Sequence, residues 1–526
     1  MKRMLNLLLV LAMVLSLFAG TQIAVAEENK NSVTIGFTYC PSNYDPLNGF
    51  TSGIQIMYAG LVQTDADMNV VADLATDYEI SEDALTYTFT LREDAKFSDG
   101  TAITPADVVF SFETAKNNVT SLDLSMMESI SAEGNAITIK LNKAMSTFIL
   151  TVAKVGIVPE HAYGEDFALN PVCSGPYYLA QYDVDQQFIL KANEYYYGGA
   201  PGIETVTIVY MSDEDTRLIA AKSGQVDITL TSAVIASTNT IDGYNLLVEE
   251  TVDNMGIALP VLPQDGKLTE DGNIVGNNVT CDIAIRKALA YGIDRQQICN
   301  EALNGYAVPA YSENDGMPWS NPNATVEYDL EYAVKLLDEA GWVDTDGDGI
   351  REKDGVKASF PCLYFAGNSD RQAVSMSLSN QAYDNLGIEI IVEGAGADLA
   401  NRMFSEPLIL AWGSSNPMTS YYLFHSSNAG KADWYNPEFF QNETVDGYLD
   451  AAVNAQSLED AIPYWQKAQW DGETGTSMLG EAPYIFLINV SHVYWVRDGL
   501  NTGDQQIHAH GAGWPLLYNL REWTWA

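Results

Sequence analysis

The chain predicts an α/β or α+β assembly in which short strands and capped helices mix without a regular strand–helix beat. Three observations lead there. Segments with period-2 hydrophobicity are interleaved irregularly with helical segments that carry identifiable start and stop signals. Cleavage after Ala26 would leave 500 of the 526 residues, enough for two or three domains. No internal repeat and no low-complexity linker divides the chain, so strands crossing between domains are expected to join them.

The first 26 residues read as an export signal. Lys2 and Arg3 give a basic start, residues 5–18 are mostly apolar, and Ala24-Val25-Ala26 is a small-x-small site before Glu27. The apolar run is short for a membrane span, although an uncleaved anchor is the competing reading. Residues 17–21 (LFAGT) resemble a lipoprotein signal with Thr21 in place of the acylated cysteine. A soluble exported protein, periplasmic or secreted, is therefore expected.

Residues 33–39 (VTIGFTY) form the first expected strand, with Pro41 and Asp45-Pro46 in the loop behind it. Tyr87, Phe89 and Leu91 alternate with Thr88 and Thr90 as a half-buried strand, and Asp99-Gly100 marks a turn. Thr104 is the expected N-cap of the next helix, with Pro105 in its first position and Asp107 near its positive end. Further strands are expected at 136–141, 155–158, 188–191 and 206–210, and an extended region begins at Ser174-Gly175-Pro176-Tyr177-Tyr178. Asp213 caps a helix that Gly224 stops. The second half is more helical. Asp294 and Gln297 have capping-box spacing, Gly305 stops that helix, and Asp329 caps one with Ala333, Leu336, Leu337 and Ala340 as its buried stripe. Residues 388–392 and 408–412 read as buried strands.

Composition excludes more than it identifies. Without the leader, 24 basic residues face 70 acidic ones, a formal charge of −46. Such a field repels nucleic acid and anionic membrane surfaces, so no nucleic-acid partner is expected. Five cysteines (Cys40, Cys173, Cys281, Cys299, Cys362) allow at most two disulfides, and none has C-x-x-C spacing. Catalytic signatures are missing: no G-x-S-x-G, H-E-x-x-H or phosphate-loop motif occurs, and there are five histidines, His161, His425, His492, His508 and His510. The chain is read as a non-enzyme needing no cofactor, with an exported hydrolase as the outlying alternative. His508-Ala509-His510 offers two imidazoles on one face if extended; two donors fall short of a zinc set, which favours structural roles. Asp344, Asp346 and Asp348, in DTDGDG, have the oxygen spacing of a calcium loop, but Gly355 stands where the bidentate glutamate belongs. A structural calcium or a plain polar hairpin both fit.

The segment 87–112, YTFTLREDAKFSDGTAITPADVVFSF, resembles the motif of the family 5 extracytoplasmic solute-binding proteins of ABC importers, the oligopeptide, dipeptide and nickel-binding group. Four further stretches match that family in order: 174–208 (SGPYYLAQYDVDQQFILKANEYYYGGAPGIETVTI), 223–228 (SGQVDI), 285–298 (IRKALAYGIDRQQI) and 333–350 (AVKLLDEAGWVDTDGDGI). The resemblance implies a two-lobed, hinged fold of the periplasmic-binding-protein type II kind, with an extra subdomain inserted in lobe 1. Carried over, lobe 1 comprises 27–44, 169–272 and 486–526, the inserted subdomain 45–168, and lobe 2 273–485. The implied partners are a small solute, peptide or nickel chelate, and the permease of an ABC transporter, with the receptor a monomer.

The resemblance also points to a ligand site in the cleft, at Tyr39 and Cys40, at Cys173 and Ser174, and along 410–427. The last segment holds Trp412, Gly413, Ser414, Ser415, Tyr421, Tyr422 and His425. Peptide-binding members typically carry an aspartate shortly after that tryptophan, paired with the ligand's α-amino group; here Ser415 takes its place. A hydrogen bond to a charged group contributes about 1.5–3 kcal/mol, against roughly 1 for a neutral one, so Ser415 alone compensates a buried ammonium poorly. Either another acid such as Glu406 or Asp433 serves, or the ligand is not a free-amine peptide. His425 is a candidate nickel ligand. Lys154 is the only basic residue in 146–160, where some nickel binders carry carboxylate-gripping arginines. Peptide is the first expectation and a nickel chelate the second.

Overall fold

A computed structural model describes residues 30–50, 53–66, 68–118, 122–431, 434–511 and 514–526. The expected signal segment, including Thr21 and the Ala26 site, lies outside the described residues, as does Asp433. Three sheets organise the chain. The first has seven strands in the order Tyr244–Glu249, His492–Arg497, Ile228–Thr231, Ser32–Phe37, Thr205–Tyr210, Gln187–Ala192 and Tyr177–Asp183. Its centre is parallel, because Ser32–Phe37 runs alongside both Thr205–Tyr210 and Ile228–Thr231. The second sheet orders Ala307–Pro309, Tyr484–Val490, Asn254–Ala258, Leu408–Trp412, Ser359–Phe365 and Glu389–Ala395. An antiparallel four-stranded sheet, Ala75–Ile80, Thr86–Leu91, Ala136–Leu141 and Met127–Glu133, forms the inserted subdomain.

Local chemistry explains the elements that hold these layers. Tyr87, Phe89 and Leu91 are buried along Thr86–Leu91, as their alternation requires. Helix Pro105–Asn117 starts with a full capping box: Thr104 Oγ1 accepts from the Asp107 amide while Asp107 Oδ2 accepts from the Thr104 amide at 2.9 Å. Asp213 and Asp329 cap helices Glu214–Lys222 and Leu330–Glu339 through the amides of Thr216 and Tyr332. At Asp294 the box is only half made. Asp294 accepts from the Gln297 amide, but the Gln297 side chain reaches Glu301, and Gln381 Oε1 takes the Asp294 amide instead. Residues 155–158, expected as a strand, are extended but unladdered, with the amides of Ile157 and Val158 bonded to Ala59 and Ser111.

The chain changes sheets twice within nearly continuous extended backbone. Tyr244–Glu249 belongs to the first sheet and Asn254–Ala258 to the second; Tyr484–Val490 belongs to the second and His492–Arg497 to the first. Sheet membership therefore moves two expected boundaries. Residues 254–258 leave the expected 169–272 piece of lobe 1, and 486–490 leave its 486–526 piece. No glycine or proline marks either crossing, because a strand that passes between sheets needs no reversal of the chain. The crossings pack together, with Thr251 Oγ1 donating to the Val490 carbonyl (2.6 Å) and the Val490 amide to Asp253 (3.0 Å). The C-terminal segment lies beside them, exchanging backbone bonds between His508 and both Glu250 and Val252. All five cysteines are unpaired. Among the described residues no helix is long and apolar enough to cross a membrane.

Candidate functional site

Two cavities open between the lobes, and His510 lies on the wall of both. The larger, about 460 Å³, is bounded by the inserted subdomain (Gln55, Lys154), the second lobe (Ser415, Asn416) and the C-terminal segment (Gln506, Trp514). The smaller, about 400 Å³, lies between Arg217 and Ser232 of the first lobe, Asp370 and Arg371 of the second, and Asp253 and His492 of the crossings. Both volumes suit a small ligand.

The larger cavity is cationic. Lys154 and His510 are the charged residues among those described on its wall, and no carboxylate joins them. Lys154 follows the buried helix Phe148–Val152, and its side chain has no hydrogen-bond partner among the described residues. Although its ammonium is wetted by the cavity, the surrounding protein desolvates it and lowers its pKa.

A chain of polar groups, buried except for His510, underlies the other wall. His508 Nδ1 meets His492 Nδ1 at 3.1 Å, His492 Nε2 meets Asp253 Oδ2 at 3.1 Å, and Asp253 Oδ1 meets His510 Nδ1 at 2.9 Å. A bond between two Nδ1 atoms needs one donor and one acceptor. Burial, reinforced by the charge of His492, pushes His508 down to about 3 and keeps that ring neutral. Burial alone would raise Asp253; the charge of His510 and hydrogen bonds from both imidazoles outweigh it and hold the carboxyl well below the usual range. Asp253 in turn raises the pKa of His510. The Nε2 edge of His510 has no protein partner among the described residues. Gly413 positions this ring from behind: its carbonyl accepts the His510 amide at 3.0 Å, and a Cβ there would lie 2.1 Å from the Val252 carbonyl oxygen.

The lobes also touch directly. Asp370, in the first turn of helix Ser369–Gln381, accepts from the amides of Ala233 (Oδ2, 3.1 Å) and Val234 (Oδ1, 3.1 Å) across the cleft. Those are the first two N–H groups of helix Ala233–Thr238, whose third is taken by its own cap Ser232. Ser369 Oγ donates to Glu214 at 2.8 Å. Ser146 of the inserted subdomain bonds the carbonyls of Ala452 and Val453 in the second lobe.

Of the residues singled out in the sequence, Ser415 reaches the cavity wall and Gly413 supports it. The others lie elsewhere. Tyr39 is exposed to bulk solvent, its neighbour Thr38 lining the smaller cavity instead. Cys40 sits 3.9 Å from the Tyr44 hydroxyl. Cys173 is fully buried, and Ser174 Oγ is consumed by the Ile157 carbonyl (2.7 Å) and the Ala59 amide (3.0 Å). Trp412 packs on Tyr435, Ser414 Oγ accepts from the Asn416 amide, Tyr421 stacks on His425, and Tyr422 stacks on Tyr435. His425 Nδ1 is bonded to Ser427 and its Nε2 lies 3.5 Å from Asp450, away from both cavities. Glu406 is held by Arg402 and faces neither cavity. Asp344, Asp346 and Asp348 do converge within 4.8 Å, but Lys357 already bonds Asp346 and Asp348.

Lys154 and Trp514 share the wall of the larger cavity, and Asp253 and Arg371 that of the smaller, each pair drawn from distant segments. The resemblance had singled out Lys154 and the sequence the histidine pair near the C-terminus; no local motif announces Asp253, Arg371 or Trp514.

Residues 69–487 match the model of "Bacterial extracellular solute-binding proteins, family 5 Middle". Protein XP55 of Streptomyces lividans is 30% identical over 90% of this chain and 87% of its own length. The oligopeptide-binding protein AppA of Bacillus subtilis is 25% identical over 92% of each. Among solved structures, NikZ from Campylobacter jejuni in complex with Ni(L-His) superposes with a TM-score of 0.79 at 23% identity, covering 94% of this chain and 99% of that one. AppA from Bacillus subtilis in complex with a nonapeptide gives 0.71 at 22% identity, with the same coverage.

Proposed function

The chain belongs to family 5 of the bacterial extracellular solute-binding proteins, and from that premise we propose that its solute is a short peptide gripped by its carboxylate end. As a member of that family it is the extracytoplasmic substrate-binding component of an ABC importer and not an enzyme. One observation carries the peptide reading in this form: the larger cavity has a partnerless Lys154 on its wall and no carboxylate among its described residues. Ser415, standing where an ammonium-binding acid is expected, leaves the amino end with a neutral partner. The lobes close over the solute because contacts to both favour the closed arrangement, and closure strengthens the charge pairing by excluding water. The leader is removed after Ala26, and the receptor works as a soluble monomer with no nucleic-acid partner and no resident cofactor.

Isothermal titration of di- to pentapeptides against their C-terminal amides and N-acetylated forms tests this. Amidation should weaken binding by about 10-fold or more, the value of a charged hydrogen bond, while acetylation should be tolerated. K154M should erase the difference. If no peptide binds, the reading fails.

His510 favours a nickel chelate as second reading. A metal-bound imidazole is commonly oriented by a carboxylate on its other nitrogen, as Asp253 does here on Nδ1, with Nε2 left without a protein partner. Binding of nickel–histidine, but of no peptide, would select this alternative.

A further inference from the structure

Arg371 lines the smaller cavity in a state that stability does not explain. It is 9% exposed, yet its guanidinium makes no hydrogen bond among the described residues, and Nη1 is buried without a partner. Its close contact is the face of Phe365, 4.7 Å from the ring centroid. The residue also occupies the first turn of helix Ser369–Gln381, where the helix field disfavours a cation. Burial, missing acceptors and the helix field oppose the charge, and the nearby Asp253 carboxylate and the Phe365 face offset them only in part.

The acids around it are engaged. Asp253 is bonded by His492 and His510, Asp370 by the amides of Ala233 and Val234, and Glu214 by Ser369. Arg217, the other guanidinium of the cavity, shows what satisfaction looks like: it donates to the carbonyls of Met211, Ser212 and Leu230 at 2.8–2.9 Å. Arg371 is thus a fork of donors held ready beside about 400 Å³ of space.

We propose that Arg371 receives a second carboxylate of the captured solute, so that the preferred peptides carry an acidic side chain. This deepens the peptide reading and rests on it for the first anchor at Lys154; His510, on the wall of both cavities, marks where they adjoin.

Tripeptides with one glutamate placed at each position in turn, and their glutamine counterparts, are titrated into the wild type and R371M. At one position at least, glutamate should bind 10-fold or more tighter than glutamine, and R371M should bring that ratio to about 1. Ligand-free R371M should melt no lower than the wild type, because an uncompensated buried charge is replaced by a side chain of similar length. Equal binding of glutamate and glutamine peptides overturns the proposal, as does a destabilised R371M that keeps the ratio, which would make the guanidinium structural. Should R371M fail to fold, R371Q gives the same comparison, since a neutral amide cannot form a charge-paired grip on a carboxylate. If no peptide binds at all, the peptide reading has failed and glutarate decides this site: a melting shift in the wild type that R371M loses supports an anion site, and no shift overturns it.

Discussion

Asp370→Ala should loosen the closed arrangement without unfolding either lobe. Asp370 supplies the acceptors for two amides of the opposite lobe, each at 3.1 Å. Charge-assisted bonds contribute about 1.5–3 kcal/mol each, or about 3–6 together. Burial is the largest influence on this carboxyl and pushes its pKa up to about 6 from the ordinary 3.8 even though both amides lower it, so most of the gross gain is offset. A remainder of the size of one net intramolecular hydrogen bond, about 1 kcal/mol, favours closure by roughly 5-fold in the closed-to-open ratio. Where the open form predominates without Asp370, apparent solute affinity falls by the same factor. Helix Ala233–Thr238 keeps its Ser232 cap, so the melting temperature of the ligand-free protein should change little. Titration calorimetry reads the affinity, and small-angle scattering of the ligand-free protein should show a larger radius of gyration. Unchanged affinity together with an unchanged radius would refute the reasoning, because the latch would then hold nothing.

Further predictions follow from the same contacts. His508 stays neutral while the unfolded chain protonates near 6.5, so the stability it confers is lost as pH falls below that value. From pH 7 to pH 5 the loss is about 2 kcal/mol. The raised pKa of His510 acts oppositely, its contribution being full below 6.5 and lost as pH rises through the elevated value. Urea midpoints at both pH values should therefore show a steep wild type and a flatter H508N; equal slopes would exclude His508 as the cause. S415D adds a carboxylate to a cavity wall that has none among its described residues, and free-amine peptides should then gain about 10-fold over acetylated ones by calorimetry. In G413A the new Cβ meets the Val252 backbone at 2.1 Å, where no side chain can yield, so a loss of about 1–3 kcal/mol in denaturant stability is expected. Calcium in place of chelator should leave the melting temperature unmoved, because the Lys357 ammonium already bridges Asp346 and Asp348.

Ser415 shows how far a motif carries into a candidate site: alignment brought it to the cavity wall, whereas Trp412, Tyr421, Tyr422 and His425 from the same segment pack against each other or their neighbours. A helix presents its side chains all round, and sequence proximity does not tell which face the cleft sees. Cys173 and Ser174 line neither cavity for a related reason. Their turn is a close packing point: a Cβ on Gly175 would lie 2.6 Å from the Met57 backbone, and Ser174 Oγ is already bonded within the protein.

What the amino-acid order determined unaided was mostly local or shared by descent: the capped helices, the alternating strands, the family and the kind of fold, with the unladdered 155–158 and the half-made box at Asp294 as local exceptions. Caps and alternation act over a few residues, so their physics is complete within the string that encodes them. Tertiary structure alone decided the rest. It placed the sheet crossings at Asp253 and Ser491, buried His508 beside His492, and set Lys154 and Arg371 on two cavity walls with no side-chain hydrogen bond among the described residues. Whether a charge finds a partner depends on groups brought near by chain reversal over hundreds of residues, and no spacing along the chain records that.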